Sequence, residues 1–237
     1  MSPNIWEKVF EYKEHKNSVN SISFAPQEYG LILLCGSSDG TISIHEYKNE
    51  QWISKKQEAH SMGVNSVCWG PPFFPITFQN EEDNNLSNSL APMRFVTGGC
   101  DNLVKIWTMT DLSQGMEDST TGIRNFKSQD LPDGHTDWIR DVAWLNYIGY
   151  AYDTIASCSE DETVIIWKFE ENSWKKIPLG KKFNTPTWKV SWSHCGSYLA
   201  VSAGDNCVYL FKENLNGEWE QFSQINSDGS PDFEENK

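Results

Sequence analysis

The sequence predicts an all-β fold, an open β-propeller of four-stranded blades: four blades plus one leftover outer strand. Three observations carry this. A unit of strand, loop, strand, tight turn and strand recurs at a period near 45 residues. Each unit has an aspartate in its turn, Asp39, Asp101, Asp161 or Asp205, and six residues later stands His45, Trp107, Trp167 or Phe211. The middle strands are apolar almost without interruption, as strands covered on both faces must be. Even strand spacing also suits a sandwich, but the recurrent aspartate turn and the histidine that precedes it in two units favour the propeller.

The inner strands align first. Val19 to Phe24, Val64 to Trp69, Ile139 to Trp144 and Trp188 to Trp192 each alternate apolar with small or polar residues and close on an aromatic. The second strands are Leu31 to Ser37, Arg94 to Gly99, Thr154 to Ser159 and Tyr198 to Ala203, each feeding an aspartate turn. Third strands follow at Thr41 to Tyr47, Leu103 to Met109, Thr163 to Phe169 and Cys207 to Lys212. A more polar fourth strand opens on Trp52, Trp174 and Trp219, and in the second unit it is the weak run around Phe126. The blades therefore span about 15–59, 60–134, 135–180 and 181–226. Residues 1–14, with Ile5 to Phe10 patterned like a fourth strand, read as the last strand of a preceding blade.

The inner strands of the second and third units end 75 residues apart because Pro71 to Pro92, rich in Asn, Ser and acids, is inserted between two strands. Thr110 to Gly122 is a second polar insertion. Both read as loops on the rim. Residues 227–237 read as an acidic disordered tail.

The net charge of −14 argues against unspecific binding to nucleic acid or to anionic membranes, whose phosphates it would repel. No apolar run reaches the ~18 residues of a spanning helix, and the N-terminus has no signal-peptide pattern. Six cysteines without a C-x-x-C pair read as small buried thiols of a reducing compartment. No metal-ligand spacing recurs, no Gly-rich phosphate loop appears, and no cofactor is implied. Three arginines, Arg94, Arg124 and Arg140, are too few for a phosphopeptide-reading mouth.

His135, Ser157 and Asp161 have the residue types of a hydrolase triad. His60, Thr97 and Asp101 recur at the same relative places, and an active site is single whereas a structural network repeats with its blade. The expected network runs from the turn aspartate to the loop histidine, the strand hydroxyl and the indole of Trp107 or Trp167. The first unit departs from it with Cys35 and His45, and the fourth with Val201 and no histidine. The adjacent His194 and Cys195 are a weaker catalytic candidate, because sequence adjacency is not the spatial pairing such chemistry needs.

The four units resemble WD repeats, although Thr108, Lys168 and Lys212 stand where the aspartate of a Trp-Asp pair would follow. More narrowly, Val64 to Trp69, Thr97 to Trp107, Asp137 to Trp144 and Ala203 to Asn206 are very similar to the small propeller subunit of the COPII outer coat. That subunit also serves in the Y-shaped scaffold of the nuclear pore. The resemblance covers nearly the whole chain outside the insertions and the tail. It implies a six-bladed open propeller, completed by a seventh blade from a rod-forming α-solenoid coat or nucleoporin subunit. On this alignment the chain holds the last four blades and the final strand of the second, so that either the gene model starts late or the chain is a fragment.

The function implied is that of a non-enzymatic scaffold in ER-to-Golgi vesicle transport, the nuclear pore outer ring, or both. It would sit in the cytoplasm, peripheral to the endoplasmic reticulum, coat vesicles and nuclear envelope, without direct nucleic-acid contact or membrane insertion. Val190, Trp192, Val208 and Phe211 of the last blade are the residues expected to face the partner. Bare faces are expected at residues such as Ile22, Leu33 and Ile42 in the first blade, and at some of Val190, Trp192, Leu199, Val208 and Phe211 in the fourth. Such faces could drive self-association. The competing readings are a generic WD adaptor that presents peptides in its mouth, and an enzyme using His135, Ser157 and Asp161.

Overall fold

A computed structural model describes residues 6–72, 91–110, 124–146 and 152–232. Its strands form four antiparallel sheets in chain order. The first blade comprises β1 (Val19–Phe24), β2 (Ile32–Ser37), β3 (Thr41–Lys48) and β4 (Gln51–Glu58). The second comprises β5 (Val64–Trp69), β6 (Arg94–Gly99), β7 (Val104–Met109) and β8 (Phe126–Asp130). The third comprises β9 (Ile139–Trp144), β10 (Thr154–Ser159), β11 (Val164–Glu170) and β12 (Ser173–Pro178). The fourth comprises β13 (Thr187–Trp192), β14 (Tyr198–Ala203), β15 (Val208–Glu213) and β16 (Trp219–Ile225), with a short fifth strand, β17 (Pro231–Asp232).

The tight turns between second and third strands explain the recurrent aspartate. In every blade its Oδ1 accepts the amide two residues on: Thr41, Leu103, Thr163 and Cys207, at 3.1, 3.3, 3.0 and 3.1 Å. The residue between adopts positive φ, +81° at Gly40, +66° at Asn102 and Glu162, and +64° at Asn206. Glycine and asparagine tolerate that region readily; Glu162 is the strained member.

Each of the first three sheets packs its forward face on the rear face of the next blade. Leu34, Ile42 and Ile44 lie against Val64, Val67, Trp69, Phe95 and Trp107. Val96, Val104 and Ile106 lie against Ile139, Val142, Trp144, Ile155, Ile165 and Trp167. Ala156, Cys158, Val164 and Ile166 lie against Val190, Leu199, Val201, Tyr209 and Phe211. The approach is closest at glycine. A Cβ on Gly98 would come within 2.6 Å of Ile139 Cγ2 and 2.9 Å of Val142 Cγ1.

Several expectations need correction. Residues 6–14 form no strand; Phe10 instead stacks on Trp52 with ring centroids 5.1 Å apart, and Tyr12 meets His45 edge-on. The pattern reads as the last strand of a preceding blade, and no third strand of such a blade stands among the described residues for it to pair with. Ile42 is fully buried on the forward face, because it pairs with Gly36 and not with the Cys35 side of β2. Ile22 and Phe24, 64% and 59% exposed, mark the open rear face of the first blade, with half-buried Leu33 beside them. Residues 227–232, expected in a disordered tail, make a turn and the strand β17, which pairs with Gln224 and Ile225. Most of both insertions and residues 233–237 lie outside the described residues.

Candidate functional site

The histidine networks are built from blade connections and second strands. In the second blade His60 Nδ1 lies 2.7 Å from Asp101 Oδ1 and Nε2 lies 2.8 Å from Thr97 Oγ1; Trp107 Nε1 donates to the same hydroxyl at 3.0 Å. In the third, His135 Nδ1 is 3.0 Å from Asp161 Oδ2 and Nε2 is 2.8 Å from Ser157 Oγ, which accepts from Trp167 Nε1 at 2.8 Å. An indole can only donate and a carboxylate only accept. The order is therefore indole to hydroxyl, hydroxyl to Nε2, and Nδ1–H to carboxylate. Ser157 and Thr97 are completely buried, so no substrate reaches either hydroxyl. Burial opposes ionisation of Asp101, but hydrogen bonds from His60, Ser61 and Leu103 outweigh it and hold the carboxyl near pH 2. Asp161 is likewise held below the usual carboxylate range by His135, Thr163 and Thr136 against the cost of burial.

The two irregular blades solve the same problem one strand across. In the first, the loop histidine is His15, 3.4 Å from Asp39. Cys35 offers no good hydroxyl, and Ser43, directly opposite it on β3, takes over at 2.8 Å from His15 Nε2. Ser43 continues to His45 Nε2 at 2.9 Å, and His45 Nδ1 ends on Ser54 Oγ at 2.8 Å. Burial and then the neighbouring His15 bring His45 down from its ordinary 6.5 to about 4. In the fourth, Tyr209 stands opposite Val201 and donates its hydroxyl to Asp205. Phe183 packs on the Tyr209 ring at 5.2 Å, where the other blades carry imidazole. His15, Ser43 and Tyr209 escaped the sequence reading, which aligned only the second-strand position. His15 stands four residues before its inner strand, as His60 and His135 do, and that spacing is a signal for it. Ser43 and Tyr209 lie across their hairpins, where spacing along the chain gives no sign of them.

His194 and Cys195 are both exposed, and the Cys195 thiol lies 3.4 Å from Ser193 Oγ. Cys35 and Cys158 are buried and three other thiols partly so; Cys195 is the exception to the expected burial. Among the described residues no group of His, Cys, Asp and Glu could hold a metal ion, and no helix is long and apolar enough to cross a membrane.

The last-blade residues expected to face a partner divide. Val190 (4% exposed) and Phe211 (1%) are buried against the third blade, and Trp192 packs on the same cluster. Trp192 also donates its indole N–H to Ala143 O at 3.1 Å. Only Val208 points the other way. Strand alternation puts Ala200, Ser202, Val208 and Leu210 together on the forward face, paired Ala200 with Leu210 and Ser202 with Val208. They occupy the places of Ala156, Cys158, Val164 and Ile166 in the third blade, where Ala156 pairs with Ile166 and Cys158 with Val164. In the third blade that set is buried under the fourth; in the fourth, all four remain partly exposed. The fourth blade thus carries a complete blade-packing face with no blade on it.

Between the inner strands, all four blades line a cavity of about 610 Å³, with Asn20, Asn65, Trp138, Arg140 and Trp188 among its walls. Arg140 lies between the two indoles, 5.3 and 4.9 Å from their centroids.

Comparison with known proteins agrees with this architecture. The family described as "WD domain, G-beta repeat" matches residues 6–46, 126–168 and 181–212. "Protein transport protein sec13" of Aspergillus clavatus is 41% identical over 226 residues, covering 93% of this chain and 70% of that protein. The chain belongs to the Sec13 family. The Aspergillus fumigatus protein of the same name is also 41% identical over 93% of the chain and 67% of its own length. "Protein SEC13 homolog" of Drosophila melanogaster is 41% identical over 92% of the chain and 58% of its own length. The chain thus spans between about three fifths and 70% of these Sec13 relatives. The Sec13 family is non-enzymatic, in keeping with the burial of Ser157 and Thr97.

Proposed function

We propose that the chain is a scaffold subunit in protein transport, building the COPII vesicle coat for ER-to-Golgi traffic, the nuclear pore outer ring, or both. It does so by accepting a blade from a rod-forming α-solenoid partner. It works in the cytoplasm as a peripheral component at the endoplasmic reticulum, on coat vesicles and at the nuclear envelope. The Sec13 relatives are named for protein transport. The observation that carries the reading is the uncovered forward face of Ala200, Ser202, Val208 and Leu210, which repeats a face that elsewhere packs on a blade. Apolar surface of that shape is stabilised by cover. Affinity purification from cells followed by mass spectrometry tests it, with recovery of rod subunits of the coat or pore expected. Recovery of signalling or ubiquitin-ligase proteins without any rod subunit would overturn it. A second reading, an adaptor that holds peptides at the mouth, is favoured by the exposed Trp138 and Trp188 in the axial cavity. It predicts that Trp188→Ala, and not a change on the forward face, abolishes partner recovery.

A further inference from the structure

Consecutive blades are joined along the axis by a bond that repeats. The third residue of each inner strand accepts the amide of the fourth residue of the next. Ser21 Oγ accepts from Val67 at 3.2 Å, Ser66 Oγ from Val142 at 3.3 Å, and Asp141 Oδ2 from Val190 at 3.1 Å. Third residues of neighbouring strands also touch each other. Ser66 donates to Asp141 Oδ1 at 2.6 Å, and Lys189 Nζ reaches the same oxygen at 3.4 Å. At two junctions the sixth residue adds an indole bond to the fifth carbonyl of the preceding strand: Trp69 to Ser23 O at 3.0 Å and Trp192 to Ala143 O at 3.1 Å.

The fourth blade changes the rule. Its third residue is Lys189, an ammonium with three donors and no acceptor, 73% exposed at its side chain. A second lysine, Lys212, pairs with Tyr198 and so shares the forward face; it too is exposed. Lys168 holds the equivalent place in the third blade, directly after the third-strand aromatic. Its Nζ crosses the junction to Glu213 Oε1 of the fourth blade at 3.0 Å. At the Lys212 position the precedent is therefore a carboxylate of the following blade, Glu213 beside Lys168. At the third-residue position Asp141 follows Ser66 and itself meets Lys189, so a carboxylate is the acceptor that an ammonium takes there.

We propose that Lys189 and Lys212 make the forward face of the fourth blade selective for an acidic blade. The incoming inner strand sets a carboxylate opposite Lys189 at its third residue, and the outer part of the same blade sets another opposite Lys212. The proposal rests on the scaffold reading, in which a partner chain supplies that blade. A second copy of this chain fits poorly. Its own first inner strand offers Ser21 at the third place, a hydroxyl and not a carboxylate for Lys189. Lys189 and Lys212 share that face with Glu220, which stands opposite Lys212 on β16. In a chain whose net charge is −14 the two cations still set the face apart, and complementary charge governs choice of partner and rate of encounter.

The test measures binding of the rod-forming partner to the full-length protein and to Lys189→Glu, Lys212→Glu and Val208→Arg, at low and high salt. Lys212→Glu matters because it leaves the Lys189–Asp141 contact intact, so that a folding defect at position 189 cannot decide the outcome. Each charge reversal is expected to weaken binding by about tenfold or more and to flatten its salt dependence. Reversal of the opposing acid in the partner to lysine should restore affinity. If Val208→Arg abolishes binding while neither charge reversal weakens it, the blade docks there but acidic selection is refuted. If the substitutions change the self-association of the protein and leave partner binding untouched, the occupant is a second copy and the proposal falls. If no rod subunit binds the unaltered protein, the scaffold reading itself has failed.

Discussion

An indole that can only donate and a carboxylate that can only accept fix every proton between them, which makes these networks rigid and leaves them no free acid or base. Removing one end should therefore do more than lose one bond. Asp161→Ala strips the partner from His135, Thr136 and Thr163. It should destabilise the chain by about 1–3 kcal/mol in chemical denaturation; an unchanged midpoint would deny the network any weight. His45 makes a separate prediction. Its folded value near 4 lies below its ordinary 6.5, so the unfolded chain binds that proton first. Stability is fully present above about pH 6.5 and declines as pH falls toward 4. The depressed Asp39, Asp101 and Asp161 act lower, removing stability only as pH falls below the ordinary carboxylate range. Melting temperatures recorded between about pH 7 and 5 should fall in the wild type and stay flatter in His45→Gln; equal slopes would refute the assignment. At this scale the sequence is readable where a residue type recurs in register, as His60 and His135 do. It is not readable where the role moves across a hairpin, as to Ser43 and Tyr209, since linear spacing does not encode which residues face each other.

Within a blade the strand period of two decides which side chains go forward and which go back, and a shift of one residue exchanges them. That is why Val190 and Phe211 were legible as apolar blade residues while the neighbour they face was not. Apolar character marks both faces alike, and only the pairing register separates Val208 from Phe211. The same register makes a sharp prediction at the closest approach between sheets. Gly98→Val would drive a side chain into Ile139 and Val142 and should cost about 1–3 kcal/mol. Ser202→Val, at the matching place on the uncovered face, should leave stability within about 0.5 kcal/mol. Calorimetry of both variants checks the pair, and equal losses would mean that the fourth forward face is covered after all.

At the level of the molecule, the number of blades, their order and the repeat period were all legible, because each blade repeats its signals along the chain and packs on its sequence neighbour. What covers the two outer faces was not, since that depends on surfaces the repeat does not contain. Ile22 and Phe24 at one end, and Val208 with Leu210 at the other, leave apolar area in water. The chain alone should therefore associate with rising concentration. It should do so without a fixed stoichiometry, because Lys189 has no acceptor for the axial bond that all three internal junctions make. Light scattering checks this, and a monodisperse monomer at tens of micromolar would contradict it. The one-way axial bond, from a side chain on one inner strand to the backbone of the following one, has a further consequence in time. A chain leaving the ribosome completes the first forward face before the second blade exists, and each finished sheet becomes the mould for the next. Synthesis then proceeds by laying one sheet on the last, and the nascent protein adds only a single new sticky surface at each step.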